Sequence, residues 1–181
     1  MEQRTAPQRH RHDSPGRRAA LYGVLAAMAL VAGYLEMLLP LPVNVPGIKL
    51  GLGNAVVLFA LRRLGARPAA ILMLCKVVAS TILFANPQTF VFSLAGGALS
   101  WLVMAAAERS GAFSLVAISV LGGIAHNVGQ LLTVAALLSP GVAWVNAPFL
   151  LVAGVLCGAA VGVLVRAVDA ALPQKGMRYG R

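Results

Sequence analysis

The side chains best suited to chemistry are few, and they lie inside apolar runs: Lys76, then His126, Asn127, Gln130 and Thr133. A lysine at the centre of a membrane helix is disfavoured by about 2.5–3.5 kcal/mol on insertion scales, so Lys76 requires a partner. Two kinds fit: a structural partner, either backbone carbonyls or Glu36 in a buried ion pair that needs no ligand, or an anionic or carbonyl-bearing molecule in a pocket. His126 and Gln130 stand four residues apart and share one helix face, which Thr133 extends and Asn127 flanks. Such a face either lines a cavity or supplies hydrogen bonds between helices, and spacing alone leaves both open. The stretch Val45-Pro46-Gly47-Ile48-Lys49-Leu50-Gly51-Leu52-Gly53-Asn54 adds a helix entry with little side-chain cover. There Lys49, Asn54 and the Gly51 and Gly53 backbone are expected to form an outward-facing mouth that favours anions. Short, Gly- and Pro-interrupted membrane segments are where transporter sites are often built.

Other chemistries lack their residues. A metal site is not expected, because one histidine within the apolar runs has no cysteine or carboxylate at ligand spacing. The aspartates, Asp13 and Asp169, sit at opposite ends of the chain, so no aspartate-rich pair holds magnesium and diphosphate. The glycine-rich stretch lacks the Gly-Lys-Ser/Thr ending of a phosphate loop, and there is no nucleophile elbow or haem or iron–sulfur ligand set. The chain is therefore expected to be noncatalytic and without a cofactor. Any active transport would draw its energy from another subunit.

The elements that position these groups follow from composition. Of 181 residues, 59% are hydrophobic and 11% charged, with 19 Gly and 10 Pro, which is too little polar surface for a water-soluble domain. The expectation is an all-α integral membrane bundle of six transmembrane helices in contact with the lipid bilayer. Apolar runs cover Ala19–Leu39, Ile48–Leu61, Ala69–Ala85, Thr89–Ala107, Ser114–Leu138 and Ala147–Val168, with Pro or Gly at nearly every junction. The second, at about 21 Å, is short of a hydrocarbon core of roughly 30 Å. Residues 1–18 read as a disordered basic tail, 19–170 as the membrane domain and 171–181 as a second basic tail.

The net charge of +10 is not a nucleic-acid signal, since thirteen of the fifteen basic residues flank apolar runs on one side. By the positive-inside rule that side is cytoplasmic, placing both termini inside a bacterial inner membrane. Trp144 is expected in an outer loop, and Cys75 and Cys157 as small buried hydrophobes. Small residues at four-residue spacing mark close helix contacts: Gly154, Gly158 and Gly162; Gly96 and Ser100; Ala19, Gly23 and Ala27. Each stripe serves packing within the chain or association with another subunit.

Several of these stretches resemble one family. They are Glu36 with its Pro-rich turn, Pro46 to Asn54, Ser93-Leu94-Ala95-Gly96-Gly97-Ala98-Leu99-Ser100, Met104, and Ser119-Val120-Leu121-Gly122-Gly123-Ile124-Ala125-His126-Asn127-Val128-Gly129-Gln130. The family is heptaprenyl diphosphate synthase component I, also called the Gx transporter family, and the likeness runs from about Ala19 to Val168. It is in turn similar to the substrate-binding S components of energy-coupling factor transporters. That resemblance implies six helices, a small-molecule pocket open to the outside, and a first helix docking on a transmembrane coupling subunit that works with ATPases. Component I implies instead a noncatalytic partner of a soluble prenyl synthase in isoprenoid-quinone synthesis, or a role in membrane electron transfer. Lys76 stands where family members tend to carry Arg, keeping the charge and losing the bidentate fork. For a pocket, the expected lining is Glu36, Lys76, His126, Asn127 and Gln130.

Overall fold

The computed structural model describes residues 15–38, 51–84 and 87–172. They form six helices: α1 (Pro15–Leu38), α2 (Leu52–Leu64), α3 (Ala66–Phe84), α4 (Pro87–Ser110), α5 (Leu115–Leu137) and α6 (Pro140–Ala171). The fold is an all-α membrane helical bundle. Apolar segments long enough to cross a membrane lie in α3, α4, α5 and α6, whereas that of α1, Ala19–Leu35, is shorter. Helix α2 has 13 residues, about 20 Å, so it does not span the bilayer on its own.

The helix ends follow their local chemistry, and some depart from expectation. Gly65, at φ 96°, is the sole residue between α2 and α3, so the junction expected between Leu61 and Ala69 contracts to one glycine. Its N–H donates to the carbonyls of Ala60 and Leu61, closing the α2 end. Ser139-Pro140, which as a Pro-containing junction marks the close of the fifth apolar run, instead opens the sixth helix. The Ser139 hydroxyl accepts from the Val142 N–H, and Pro140 sits at the first helical position, where a missing N–H costs nothing. Helix α6 thus gains a full turn and more, and Trp144 lies on it, highly exposed, rather than in a loop. Replacing Ser139 by Ala is expected to cost about 1 kcal/mol, read as a lower unfolding midpoint in detergent. Helix α1 starts at Pro15, four residues before the apolar run.

Helix α5 is the centre of the larger half, packed most extensively on α6 and then on α4. Glycines set that approach. A Cβ on Gly123 would lie 2.3 Å from the Gly154 carbonyl oxygen, and one on Gly158 would lie 2.8 Å from the Val120 Cα. A Cβ on Gly129 would meet the Ala95 carbonyl oxygen at 2.7 Å. Helix α2 is apolar on nearly every face and is buried among α1, α3, α4 and α6, with Val57, Leu58 and Ala60 almost inaccessible.

Helix α1 rests on α2 and α3 through Leu25 and Ala29. Its Gly23 and Gly33 have nothing within 4 Å among the described residues, and Ala19, Gly23 and Ala27 are exposed. The same small-residue spacing is therefore buried on α6 and open on α1. Large apolar side chains such as Met28, Ile82, Phe149 and Leu156 face outward, as lipid-contacting surfaces do. Cys75 is exposed on such a surface instead of buried, while Cys157 lines an interior cavity.

Candidate functional site

Two ion pairs fix the depth of everything else. At the end of the bundle where α2, α4 and α6 finish, Arg62 Nη1 contacts Glu108 Oε1 at 2.7 Å, and Arg63 pairs with Asp169. Arg63 also donates to the Asp169 carbonyl at 2.6 Å. These pairs bring the C-terminal ends of α2, α4 and α6 together. Asn54 precedes Arg62 by eight residues and Ser100 precedes Glu108 by eight, so both lie about 12 Å inside from the linked end. The start of α2 thus reaches the middle of the bundle.

That start is built from residues that keep side chains away. Gly51 takes the left-handed conformation, φ 82°, and among the described residues no side chain caps α2. The Asn54 N–H closes this first turn on the Gly51 carbonyl at 2.7 Å, and the first-turn N–H groups mark the positive end of the helix dipole. Lys76, from the middle of α3, crosses this start. A Cβ on Gly53 would lie 2.6 Å from Lys76 Cε and 2.7 Å from its Nζ. The ammonium donates to Asn54 Oδ1 at 2.8 Å. Bare backbone at Gly53 is what admits the lysine.

Beside this corner lies an interior cavity of about 20 Å³ between α2, α4, α5 and α6, room for a water-sized group. Gly51, Asn54, Ser100, Ser119, His126 and Asn127 supply its polar and backbone edges, and Met104, Cys157 and Val161 its apolar ones. Asn127 is 3% exposed, and its Nδ2 donates to the Leu150 carbonyl of α6. Its Oδ1, and the hydroxyl of Ser100, 2% exposed, have no hydrogen-bond partner among the described residues. Buried polar atoms left this way are uncommon and call for an explanation. His126 is buried with its ring against Gly96, where a Cβ would approach Nδ1 to 3.0 Å.

The expected site residues therefore divide. Gly51, Asn54, His126 and Asn127 share one cavity, so the mouth and the lining that the sequence separated are a single place. Lys76 and Gly53 adjoin it through Asn54 and through each other. Gln130 is buried one turn beyond His126 on the same face and is not among the residues lining that cavity. Thr133 donates to the Gly129 carbonyl of its own helix at 2.9 Å and needs no further partner. Lys49 and the side chain of Glu36 lie outside the described residues. Sequence reasoning passed over Ser100 and Ser119 as site residues, reading Ser100 only as a small packing residue. The signal was present: each is a hydroxyl within an apolar run.

Among the described residues no cluster of three histidine, cysteine or acidic side chains could hold a metal ion. A family model described as heptaprenyl diphosphate synthase component I matches residues 25–168. No curated protein and no solved structure matches the chain. The chain belongs to the heptaprenyl diphosphate synthase component I family.

Proposed function

We propose that this family member is a noncatalytic, membrane-embedded subunit that captures a small solute inside its helical bundle, in the manner of a transporter S component. The observation carrying this reading is the meeting of Asn54, Ser100, His126 and Asn127, from three helices, at one interior cavity with Lys76 alongside. Polar groups at this depth are costly unless they are used. The open stripe Ala19, Gly23 and Ala27 on α1 supports docking to a transmembrane coupling subunit whose ATPases supply the energy. On this reading residues 19–170 are the membrane domain between two basic tails, Glu36 and Lys49 complete the site, and the basic end faces the cytoplasm of a bacterial inner membrane.

The test is native mass spectrometry of protein extracted gently from its membrane. A retained small molecule is expected, and it is reduced in His126→Ala and in Asn127→Ala while both variants still fractionate with the membrane. Retention unchanged in both variants counts against this site.

A second reading follows from the family description and from one surface. Arg67, Arg109 and Arg166 are exposed at the basic end, where a soluble prenyl synthase could be held at the membrane. Copurification separates the two readings: an ATPase pair with a transmembrane coupler supports capture, and a soluble synthase supports anchoring.

A further inference from the structure

We infer that the cavity at the start of α2 is an anion site, taking the carboxylate or phosphate of a ligand that also carries an N–H or O–H donor. This deepens the capture reading and rests on it. Two electropositive groups converge at mid-depth: the N-terminal end of the α2 dipole and the Lys76 ammonium, which donates to Asn54 Oδ1 at 2.8 Å. An anion placed there is attracted by both, and the low-dielectric surroundings strengthen the attraction. A metal cation would be repelled by both.

The second half of the assignment comes from separate atoms. Asn127, a cavity-lining residue, commits its Nδ2 to Leu150, which leaves Oδ1, an atom that can only accept, buried without a partner among the described residues. It asks for a donor. The Ser100 hydroxyl, likewise unpartnered among those residues, can serve either part of the ligand. A simple anion satisfies only one side of this site, and a neutral amide only the other. The water-sized space admits the tip of such a ligand, and Met104, a flexible thioether in the cavity wall, is the side chain able to yield to more.

The experiment measures the unfolding midpoint of the purified full-length chain in detergent against three probes. These are acetate, N-acetylglycinate and the neutral N-acetylglycinamide, alongside native mass spectrometry of the unsupplemented protein. N-acetylglycinate is expected to stabilise most, acetate less and the neutral amide least, and any retained molecule is expected to be an anion. Lys76→Met is expected to weaken N-acetylglycinate binding at least about tenfold, as the loss of a charged hydrogen bond implies. Gly53→Ala provides a variant whose closest contacts among the described residues are with the flexible end of Lys76. It is expected to keep the unliganded midpoint while losing the same preference.

If the neutral amide stabilises as much as the anion, or both variants bind like wild type, the anion assignment is overturned and solute capture stands. A neutral retained molecule has the same consequence. If no probe stabilises and nothing is retained, both fail.

Discussion

Gly123→Ala is expected to destabilise the bundle by about 3 kcal/mol, although alanine is the better helix former by about 1 kcal/mol. The sign is decided by what the added carbon meets. It would lie 2.3 Å from the Gly154 carbonyl oxygen and 3.2 Å from that carbonyl carbon. Both are backbone atoms of α6, so no rotamer change relieves the overlap and the two helices must separate. Separation also disturbs Asn127, which bonds α6 at Leu150 one turn further along α5. In a membrane, water adds no drive to bring helices back together, so lost van der Waals contact is not replaced. Gly23→Ala is the matched control, with nothing within 4 Å among the described residues. It is expected to be neutral or stabilising by up to about 1 kcal/mol. Unfolding in detergent measures both. Equal midpoints for the two variants would show that α5 and α6 do not approach as closely as described.

The contrast between those glycines marks what the sequence could and could not disclose. Helix number was legible because a bilayer demands long apolar runs, and because Pro87 and Gly111 punctuate the chain between them. Inward and outward faces were not, since in lipid both are apolar and the usual polar stripe is missing. Ala19–Gly23–Ala27 and Gly154–Gly158–Gly162 have the same spacing, yet the first is open and the second is jammed against α5. Met73 is buried while Cys75, two residues on, faces outward. Only the rare polar residues broke this degeneracy, which is why His126 and Asn127 stood out in the sequence. The depth of the α2 start was hidden for a different reason. It depends on where α2 ends, and that is set by pairs with residues far along the chain, Glu108 and Asp169. Ser139 misled because a Ser-Pro pair stops one helix and starts the next with the same two residues.

Arg63→Met is expected to cost about 3 kcal/mol, whereas Arg62→Met costs less than about 1 kcal/mol, although the two arginines are neighbours with the same charge. Burial separates them. The Arg63 side chain is 8% exposed and its partner Asp169 18%, against 44% for Arg62 and 23% for Glu108. Water screens the Arg62 pair, so little is lost with it. Removing Arg63 leaves the Asp169 carboxylate poorly solvated and the Asp169 carbonyl without the donor it has now. Because much of that penalty is the stranded charge, Arg63→Met combined with Asp169→Leu should recover most of the stability. Arg63→Lys should recover little, since an ammonium cannot reach carboxylate and carbonyl with one planar fork. A double-mutant cycle on midpoints in detergent reads these differences directly. A coupling near zero for Arg63 and Asp169 would remove the anchor that sets the depth of α2. A large coupling would mean that Arg63 does more than bias topology: it holds the short helix at the height where its start meets Lys76, Ser100 and Asn127.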